Sequence, residues 1–365
     1  MIITQIELYK LTIPMEPFVI ATETADSADN IYIRIHTDAG IIGRGECSPF
    51  PMLVGETQAT CFEIGKDFAR IMKGKDPLNV PERLKELSDY IAFNNTIKSA
   101  FDMALLDIAS QNAGVPLYKY LGGHLKTIQS DLTIGIDTPE SMAATAKEFI
   151  KNGVEIIKIK LGKNAKEDVE RVRLIREAVG PNIKLRTDAN QGWSFVDAVY
   201  ALQKIAAYDI QYCEQPMRTY NDPLLPELRK LSPVKIMADE SVFNHYDAIR
   251  IIESGGCDYI NIKLAKTGGI LEAIRVADVA AERNIPCMLG GMVESRLALT
   301  AKVHLAMSHE NIHFYDLDTC LLGHKLDPVV GGAQYNRFYL DLPTGNGIDA
   351  EIDPAFLETM EKVVI

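Results

Sequence analysis

The apolar positions of the first 125 residues follow two different periods. Residues 2–11 alternate apolar and polar side chains, and residues 31–35 alternate again before a turn at Asp38-Ala39-Gly40. This pattern predicts a strand followed by a β-hairpin. From about residue 58 the apolar spacing becomes helical, and it ends at Gly114, shortly before Pro116. Gly and Pro at that place are helix stop signals, so residues 1–125 predict an α+β domain.

After about residue 128 short β-rich runs alternate with helical segments. One run covers residues 130–136, and the next seven begin near residues 154, 183, 210, 234, 258, 285 and 312. Eight strand–helix units at this spacing predict a TIM-like (β/α)8 barrel over residues 126–326. A doubly wound open sheet is the competing architecture, but the near-equal units favour closure. We expect the last segment, 327–365, to return to the N-terminal domain and complete it as a capping domain.

Composition and charge narrow the classes of function. The chain has 365 residues, a formal net charge of −12 and no basic patch, which argues against nucleic acid and anionic membranes as partners. No apolar run reaches the length of a membrane span, and the first residues lack the features of a signal peptide. Six scattered cysteines without a CxxC pair are typical of a reduced protein. We therefore expect a cytoplasmic protein.

Charged residues recur where the predicted barrel strands end. The active site of such a barrel lies at the carboxyl ends of its strands. A single acid at a strand end is commonly the N-cap of the next helix, but charged residues at most of the strand ends make capping alone a poor explanation. The residues at these ends are Lys158, Lys160, Asp188, Asn190, Glu214, Asp239, Glu240, Lys263, Asp316 and Asp318.

Three of these acids come from adjacent strands, so their carboxylates should converge. Asp188, Glu214 and Asp239 would repel one another unless a cation lay among them. A set of oxygen ligands without His or Cys suits Mg²⁺. The sequence therefore predicts a magnesium site with open positions for a substrate.

The lysines predict acid–base chemistry beside that site. Lys158 and Lys160 are two residues apart on a strand, so both point into the barrel while Ile157 and Ile159 face the helices. A metal and a neighbouring ammonium lower the pKa of a lysine, which makes it a usable base. Lys263, on the sixth strand, lies across the barrel, so a bound substrate would have a lysine on each face. This arrangement predicts inversion of a carbon next to a carboxylate.

Five motifs, "KIK" (158–160), "DAN" (188–190), "CEQP" (213–216), "ADES" (238–241) and "NIKLAKTGG" (261–269), occur in one order. With them the chain resembles the muconate-lactonising subgroup of the enolase superfamily over essentially its whole length. The resemblance implies a homo-oligomer, and capping loops around residues 16–26 and 50–56 that close the barrel mouth. It implies Mg²⁺ on Asp188, Glu214 and Asp239, supported by Asn190 and Glu240, acid–base roles for Lys160 and Lys263, and an auxiliary Lys158 that meets the substrate carboxylate.

The acid pair at the end of the eighth strand separates the reactions of this subgroup. Asp316 and Asp318 resemble the dipeptide epimerases, in which such a pair accepts the substrate ammonium, and both side chains share a face. The sequence thus predicts a Mg²⁺-dependent dipeptide epimerase that inverts the C-terminal residue by two-base 1,1-proton transfer through an enolate. Muconate cycloisomerase, o-succinylbenzoate synthase and N-succinylamino acid racemase are the alternatives, and their substrates lack an ammonium. A helix cap would explain the pair without any function.

Substrate specificity rests on a loop residue. Epimerases of this group that act on Ala-Glu place an arginine in the first capping loop, where this chain has Glu23. An acid there argues against Ala-Glu and favours a cationic or other non-acidic side chain, although a solvated loop acid is the simpler explanation. Glu294 either reaches the substrate or pairs with Arg296. We expect Lys266 to serve the start of a helix.

Overall fold

A computed structural model describes all 365 residues. The N-terminal region is an antiparallel sheet covered by helices, as predicted. Its strands are β1 (Ile3–Val19), β2 (Thr24–Thr37) and β3 (Ile42–Cys47), with the predicted hairpin between β2 and β3. Its helices are α1 (Pro51–Val54), α2 (Gln58–Met72), α3 (Val80–Tyr90), α4 (Asn95–Asn112) and α5 (Leu117–Tyr120).

Eight parallel strands follow, each paired with the next along the chain. They are β4 (Leu132–Ile134), β5 (Ile156–Lys160), β6 (Lys184–Asp188), β7 (Ile210–Glu214), β8 (Ile236–Ala238), β9 (Tyr259–Ile262), β10 (Cys287–Gly290) and β11 (Ile312–Asp316). The helices between them are α6 (Pro139–Lys151), α7 (Ala165–Val179), α8 (Phe195–Ile205), α9 (Leu225–Leu231), α10 (His245–Ser254), α11 (Leu264–Thr267), α12 (Ile270–Glu282) and α13 (Arg296–Ser308). None of the helices is long and apolar enough to cross a membrane.

The seam between β11 and β4 closes the barrel with few backbone bonds. The Asp131 amide donates to the Tyr315 carbonyl at 3.2 Å. The Thr133 amide instead donates to the Asp318 carboxylate at 2.7 Å. The predicted barrel is therefore confirmed, and an acid at the candidate site takes part in its closure.

Side chains alternate across the barrel wall as the strand period requires. Ile157 and Ile159 of β5 join the main apolar core outside the barrel, whereas Lys158 points inward. Below the charged residues, Tyr212, Met237 and Met288 form a separate apolar cluster inside the barrel. The interior is thus apolar at one end and charged at the mouth.

The last segment returns to the N-terminal domain, as predicted. It contains β12 (Val329–Gly331), β13 (Gln334–Asn336), β14 (Tyr339–Asp341), β15 (Ala350–Ile352), α14 (Pro354–Leu357) and β16 (Lys362–Val364). Strand β16 pairs antiparallel with β1, with Leu8 opposite Val363, and becomes the edge of the N-terminal sheet.

Buried acids of the capping domain hold the barrel helices. Glu46 accepts a hydrogen bond from the Ser295 amide at 2.8 Å, at the start of α13. Asp102 accepts one from the Ile270 amide at 2.6 Å, at the start of α12. Both contacts satisfy amides that a helix leaves free at its first turn. They fix the capping domain on the barrel, with its first loop against the mouth.

Candidate active site at the mouth of the barrel

The three predicted metal ligands lie side by side on adjacent strands. Asp188 ends β6, Glu214 ends β7 directly opposite it, and Asp239 follows β8. All three side chains are fully buried. Burial, followed by the neighbouring Asp188, raises the pKa of Glu214 to about 7. The three acids that the sequence pattern predicted therefore lie on adjacent strands in the structure.

Lys158 and Lys160 lie against these acids. The Lys158 ammonium is 2.8 Å from Glu214, 3.3 Å from Asp188 and 2.6 Å from Asp316. Lys160 is 2.6 Å from Asp188. Burial lowers the pKa of Lys158, but the three carboxylates outweigh it and hold that pKa well above its usual range. The lowering predicted from the sequence assumes a bound metal, which would take over the charge of these carboxylates.

Lys263 directly follows β9 and faces Lys160 across the barrel. Strands β5 and β9 are four positions apart in an eight-stranded barrel, so their inward side chains approach the mouth from opposite sides. The Lys263 ammonium is 2.7 Å from the Asp239 carboxylate. Burial opposes its charge, but Asp239 and Glu214 raise its pKa above the usual range. The two predicted acid–base lysines thus flank one polar chamber.

Lys266 does more than lie at the start of a helix, which is the only role that we expected from the sequence. It does lie in the short helix α11, but its side chain is fully buried. Its ammonium lies 2.5 Å from the Asp239 carboxylate and 3.0 Å from the Asn261 carbonyl. A lysine in such contact with a predicted metal ligand is part of the site, and sequence reasoning missed it.

The loops after β6 and β7 place backbone in a conformation that non-glycine residues rarely adopt. Asn190, Gln191 and Gln215 have φ values of 39°, 68° and 33°. The Asn190 amide donates to Asp188 at 2.9 Å, which fixes that carboxylate. Strained backbone of this kind is common at functional sites.

Several other residues of the site were not singled out from the sequence. Asn261 donates to Glu214 at 2.7 Å. The side-chain oxygen of Gln215 accepts the Asp239 amide at 2.9 Å. Arg186, which lies opposite Lys158 on the adjacent strand, donates to Asp131 at 2.7 Å. Asn261 and Gln215 thus orient two predicted ligands, whereas Arg186 neutralises an acid that the sequence did not predict.

Asp316 and Asp318 lie together near the top of β11, as predicted, and Asp131 joins them. Oxygens of the three carboxylates all lie within 4.8 Å of one another. Asp316 is held by Lys158, and Asp318 by the Thr133 amide. The helix-cap explanation does not account for Asp318, because its oxygen bonds to a strand amide across the barrel seam.

The residues of the mouth fit a bound Mg²⁺. Both carboxylate oxygens of Glu240 and the side-chain oxygen of Asn190 are buried without a hydrogen-bond partner, and burial followed by Asp239 raises the pKa of Glu240 to about 8. Seven buried carboxylates and five buried cations line this region, and the surplus of carboxylate oxygens suits a divalent ion. The acids are Asp131, Asp188, Glu214, Asp239, Glu240, Asp316 and Asp318, and the cations are Lys158, Lys160, Arg186, Lys263 and Lys266.

The carboxylate oxygens of the three predicted ligands lie farther apart than those of a second acid group, Asp131, Asp316 and Asp318. Asp131, Asp316 and Asp318 form the one set of three acids whose oxygens fall within 4.8 Å. In the predicted set, lysine ammoniums occupy the carboxylates instead. The two groups are therefore rival positions for a cation, and the lysine contacts explain why the predicted set is spread apart.

The capping loops meet beside the mouth. The Val19 carbonyl of the first loop accepts the Ile136 amide of the barrel at 2.8 Å. Glu23 lies in a cleft of about 400 Å³ between both loops, with Phe50 and Val293 among its lining residues. One Glu23 carboxylate oxygen is buried without a partner, and desolvation raises the pKa of this acid.

Glu294 is held locally, although not by the residue we named. One of its oxygens contacts the buried Lys302, and the other accepts the Met292 amide at 2.7 Å. The expected alternative, a pair with Arg296, is wrong because Arg296 binds Asp327 at 2.6 Å. Both Glu294 oxygens are thus engaged by the protein.

Comparisons with known proteins agree with this fold. Residues 3–122 match the family described as mandelate racemase/muconate lactonizing enzyme, N-terminal domain. Residues 141–356 match the family described as enolase C-terminal domain-like. The chain is thus a barrel protein of the enolase superfamily. Within that superfamily it belongs to the mandelate racemase/muconate lactonizing family, as the sequence motifs predicted.

Individual relatives cover the whole chain. The D-Ala-D/L-Ala epimerase of Cytophaga hutchinsonii is 44% identical over 368 residues, which is 100% of both chains. A crystal structure of a dipeptide epimerase from the same organism, with Mg and D-Ala-L-Val, has a TM-score of 0.98 and 43% identity over 100% of each chain. The N-succinyl Arg/Lys racemase of Bacillus cereus has a TM-score of 0.97 at 30% identity, again over 100% of each chain.

Proposed function

We propose that this protein is a Mg²⁺-dependent dipeptide epimerase that inverts the α-carbon of the C-terminal residue. The observation that carries the proposal is the acid pair Asp316–Asp318 in the same chamber as two opposed lysines. An ammonium needs anionic acceptors, and charge-assisted hydrogen bonds to carboxylates supply them. The relatives named as dipeptide epimerases support the same activity.

Asp188, Glu214 and Asp239 would hold the metal. When bound, Mg²⁺ supplies positive charge to the substrate carboxylate as negative charge develops on its oxygens. Lys160 removes the α-proton from one face of the substrate, and Lys263 delivers a proton to the other. Each lysine exchanges roles in the reverse direction, because the chemistry of the two epimers is symmetric.

Lys158 serves both ends of the substrate. It contacts Glu214 and Asp188 on one side and Asp316 on the other, so it lies between the metal ligands and the ammonium acceptors. In that position it can meet the substrate carboxylate while keeping Asp316 ionised. Burial opposes the charge on Asp316, but Lys158 and then Lys160 hold its pKa below the usual range.

The alternative reactions of the family use substrates without an ammonium. An N-succinyl group carries a carboxylate that Asp316 and Asp318 would repel. The lower identity to the N-succinyl Arg/Lys racemase, 30% against 43% for the dipeptide epimerase structure, favours the same choice.

We further propose that the C-terminal residue of the substrate is not acidic. Glu23 lines the cleft between the capping loops together with Asp26 and Asp29, and no basic side chain lines it. A second carboxylate would be repelled there, whereas cationic and apolar side chains are both compatible with Glu23, Phe50 and Val293. The free cysteines support a cytoplasmic location, and the family resemblance supports a homo-oligomer.

The test is deuterium uptake in D₂O with Mg²⁺ and a pooled L-Ala-L-X library, read by mass. We expect uptake at X for non-acidic residues, lost when Lys160→Ala and Lys263→Ala are combined and retained in the exposed control Lys163→Ala. Glu23→Gln should admit acidic X, whereas Asp26→Asn serves as a control from the same cleft. Preferred uptake with Lys or Arg would identify a cationic substrate, and uptake only with apolar X an apolar one. No uptake with any dipeptide, despite bound Mg²⁺, would refute the proposal.

A further inference from the structure

A third buried acid stands behind the predicted ammonium acceptors. Asp131 lies just before β4, at the barrel seam, and its side chain belongs to the compact group with Asp316 and Asp318. One of its oxygens accepts Arg186, and the other is fully buried without any partner. This arrangement is costly, because a buried acceptor without a partner loses its hydration without compensation.

The charges within the group do not balance. Three carboxylates share two cations in direct contact, Lys158 on Asp316 and Arg186 on Asp131. Asp318 has only the neutral Thr133 amide. Three acids within this distance cannot all ionise beside two cations without strong repulsion. One additional positive charge, either a proton or an ammonium, would neutralise the group.

Other charged or titratable groups around the acids do not supply that charge. Lys160 and Lys263 act on Asp316 but are bound to Asp188 and Asp239. Tyr212 acts on Asp131 from β7, and Tyr335 acts on Asp318 from the C-terminal segment, and both are neutral phenols whose pKa lies well above the usual value. The groups that face the three acids are Lys158, Lys160, Arg186, Tyr212, Lys263 and Tyr335.

We propose that the free protein holds one proton among Asp131, Asp316 and Asp318, and that the substrate ammonium displaces this proton into solvent. The inference rests on the proposed function, because it takes the dipeptide ammonium as the incoming charge. Asp131 does not touch the substrate in this arrangement. It is a positioning residue that acts through Asp318. Its carboxylate leaves the group with one positive charge too few until the substrate ammonium binds.

The direction of the acid shifts agrees with this exchange. Burial, followed by Asp316, raises the pKa of Asp131 to about 7 despite Arg186. Burial, followed by Asp316 and Asp131, raises the pKa of Asp318 well above its usual range. Because an ammonium at Asp318 favours the ionised acid, dipeptide binding should release a proton near neutral pH and should tighten as the pH rises.

The experiment is isothermal titration calorimetry of the Mg²⁺-saturated protein at pH 6.5. The ligand is a dipeptide that the protein epimerises, pre-equilibrated to both epimers so that no net reaction heat arises. Its α-amino group, with a pKa of about 7.7–8.0, is protonated there and cannot be the source of the proton. Titrations in PIPES and in imidazole, which differ in ionisation enthalpy, give the number of protons released.

We expect the wild-type protein to release close to one proton per dipeptide, and Asp131→Asn to release less than half of that. The acid limb of kcat/KM should move to lower pH by about one unit in Asp131→Asn, because Asp318 then ionises more easily. Asp258→Asn is the matched control, since Asp258 is also buried and paired with an arginine, Arg229, but lies outside the group. It should release as many protons as wild type.

Two results would overturn the inference: no proton release by the wild-type protein, or equal release by wild type and Asp131→Asn. The wild-type titration decides alone if Asp131→Asn does not fold. Binding and epimerisation of a dipeptide without proton release would refute only this inference. A protein that neither binds nor exchanges any dipeptide sinks the proposed function instead.

Discussion

Replacing Lys158 should make the free energy of unfolding depend on Mg²⁺ more strongly than replacing any other side chain of the site. Its ammonium is fully buried and lies within 3.3 Å of Asp188, Glu214 and Asp316. Lys158→Met keeps the length of the side chain and leaves these carboxylates without their shared cation. Removing one partner of a buried ion pair costs about 3–5 kcal/mol. We expect a loss of that size in the free energy of unfolding when Mg²⁺ is chelated.

Saturating Mg²⁺ should restore part of the free energy of unfolding that Lys158→Met loses. The metal would share Glu214 and Asp188 with Lys158, so the ion would meet less repulsion once the lysine is gone. Tenfold tighter Mg²⁺ binding corresponds to about 1.4 kcal/mol, and we expect the deficit of Lys158→Met to narrow by at least that amount. Urea unfolding in EDTA and in MgCl₂, followed by circular dichroism, measures both deficits.

Lys302→Met is the control for burial alone. Lys302 is also fully buried and contacts one acid, Glu294, away from the predicted ligands. Its deficit should be independent of Mg²⁺. If Mg²⁺ narrowed both deficits equally, or neither, the placement of Lys158 between the metal site and the ammonium site would be refuted.

Three further predictions follow from the same chamber. Lys160→Ala and Lys263→Ala should each lower the epimerisation kcat by about 10²–10⁴. Each variant should still exchange the α-proton of one epimer with D₂O. Exchange of both epimers by either variant would contradict the two-base assignment. Asp318→Asn should raise the dipeptide KM by about 10- to 100-fold, as expected for the loss of a charged hydrogen bond, with kcat less affected; an unchanged KM would remove Asp318 from the ammonium site. Mg²⁺ should bind more weakly at pH 6 than at pH 8, because Glu214, with a pKa of about 7, must lose its proton to act as a ligand; titration calorimetry with MgCl₂ at both values measures this, and equal affinity would count against Glu214.

The strand period explains how much of the site could be predicted from the sequence. Lys158 and Lys160 were placed inside the barrel because residues two apart on a strand share a face. The same rule, applied to Asp188 and Lys263, would also have found Arg186 and Asn261, each two residues earlier. Asp131 precedes a short strand of three residues, so its inward direction was not evident from the pattern.

Contacts between distant segments could not be read from the chain. Lys266 is four residues from the end of β9, and its reach to Asp239 depends on the turn of α11. Asp318 bonds to the Thr133 amide only because the barrel closes β11 against β4. The choice of Lys302 rather than Arg296 as the partner of Glu294 depends on the packing of α13, where Arg296 turns toward Asp327.

The location of the bound metal would decide between the two acid groups at the barrel mouth. A crystal of the protein soaked with Mn²⁺ and a dipeptide would show the ion by its anomalous scattering. We expect one ion bound by Asp188, Glu214 and Asp239, with the dipeptide ammonium at Asp316 and Asp318. An ion bound instead by Asp131, Asp316 and Asp318, the more compact acid group in this structure, would contradict both the metal site and the ammonium site.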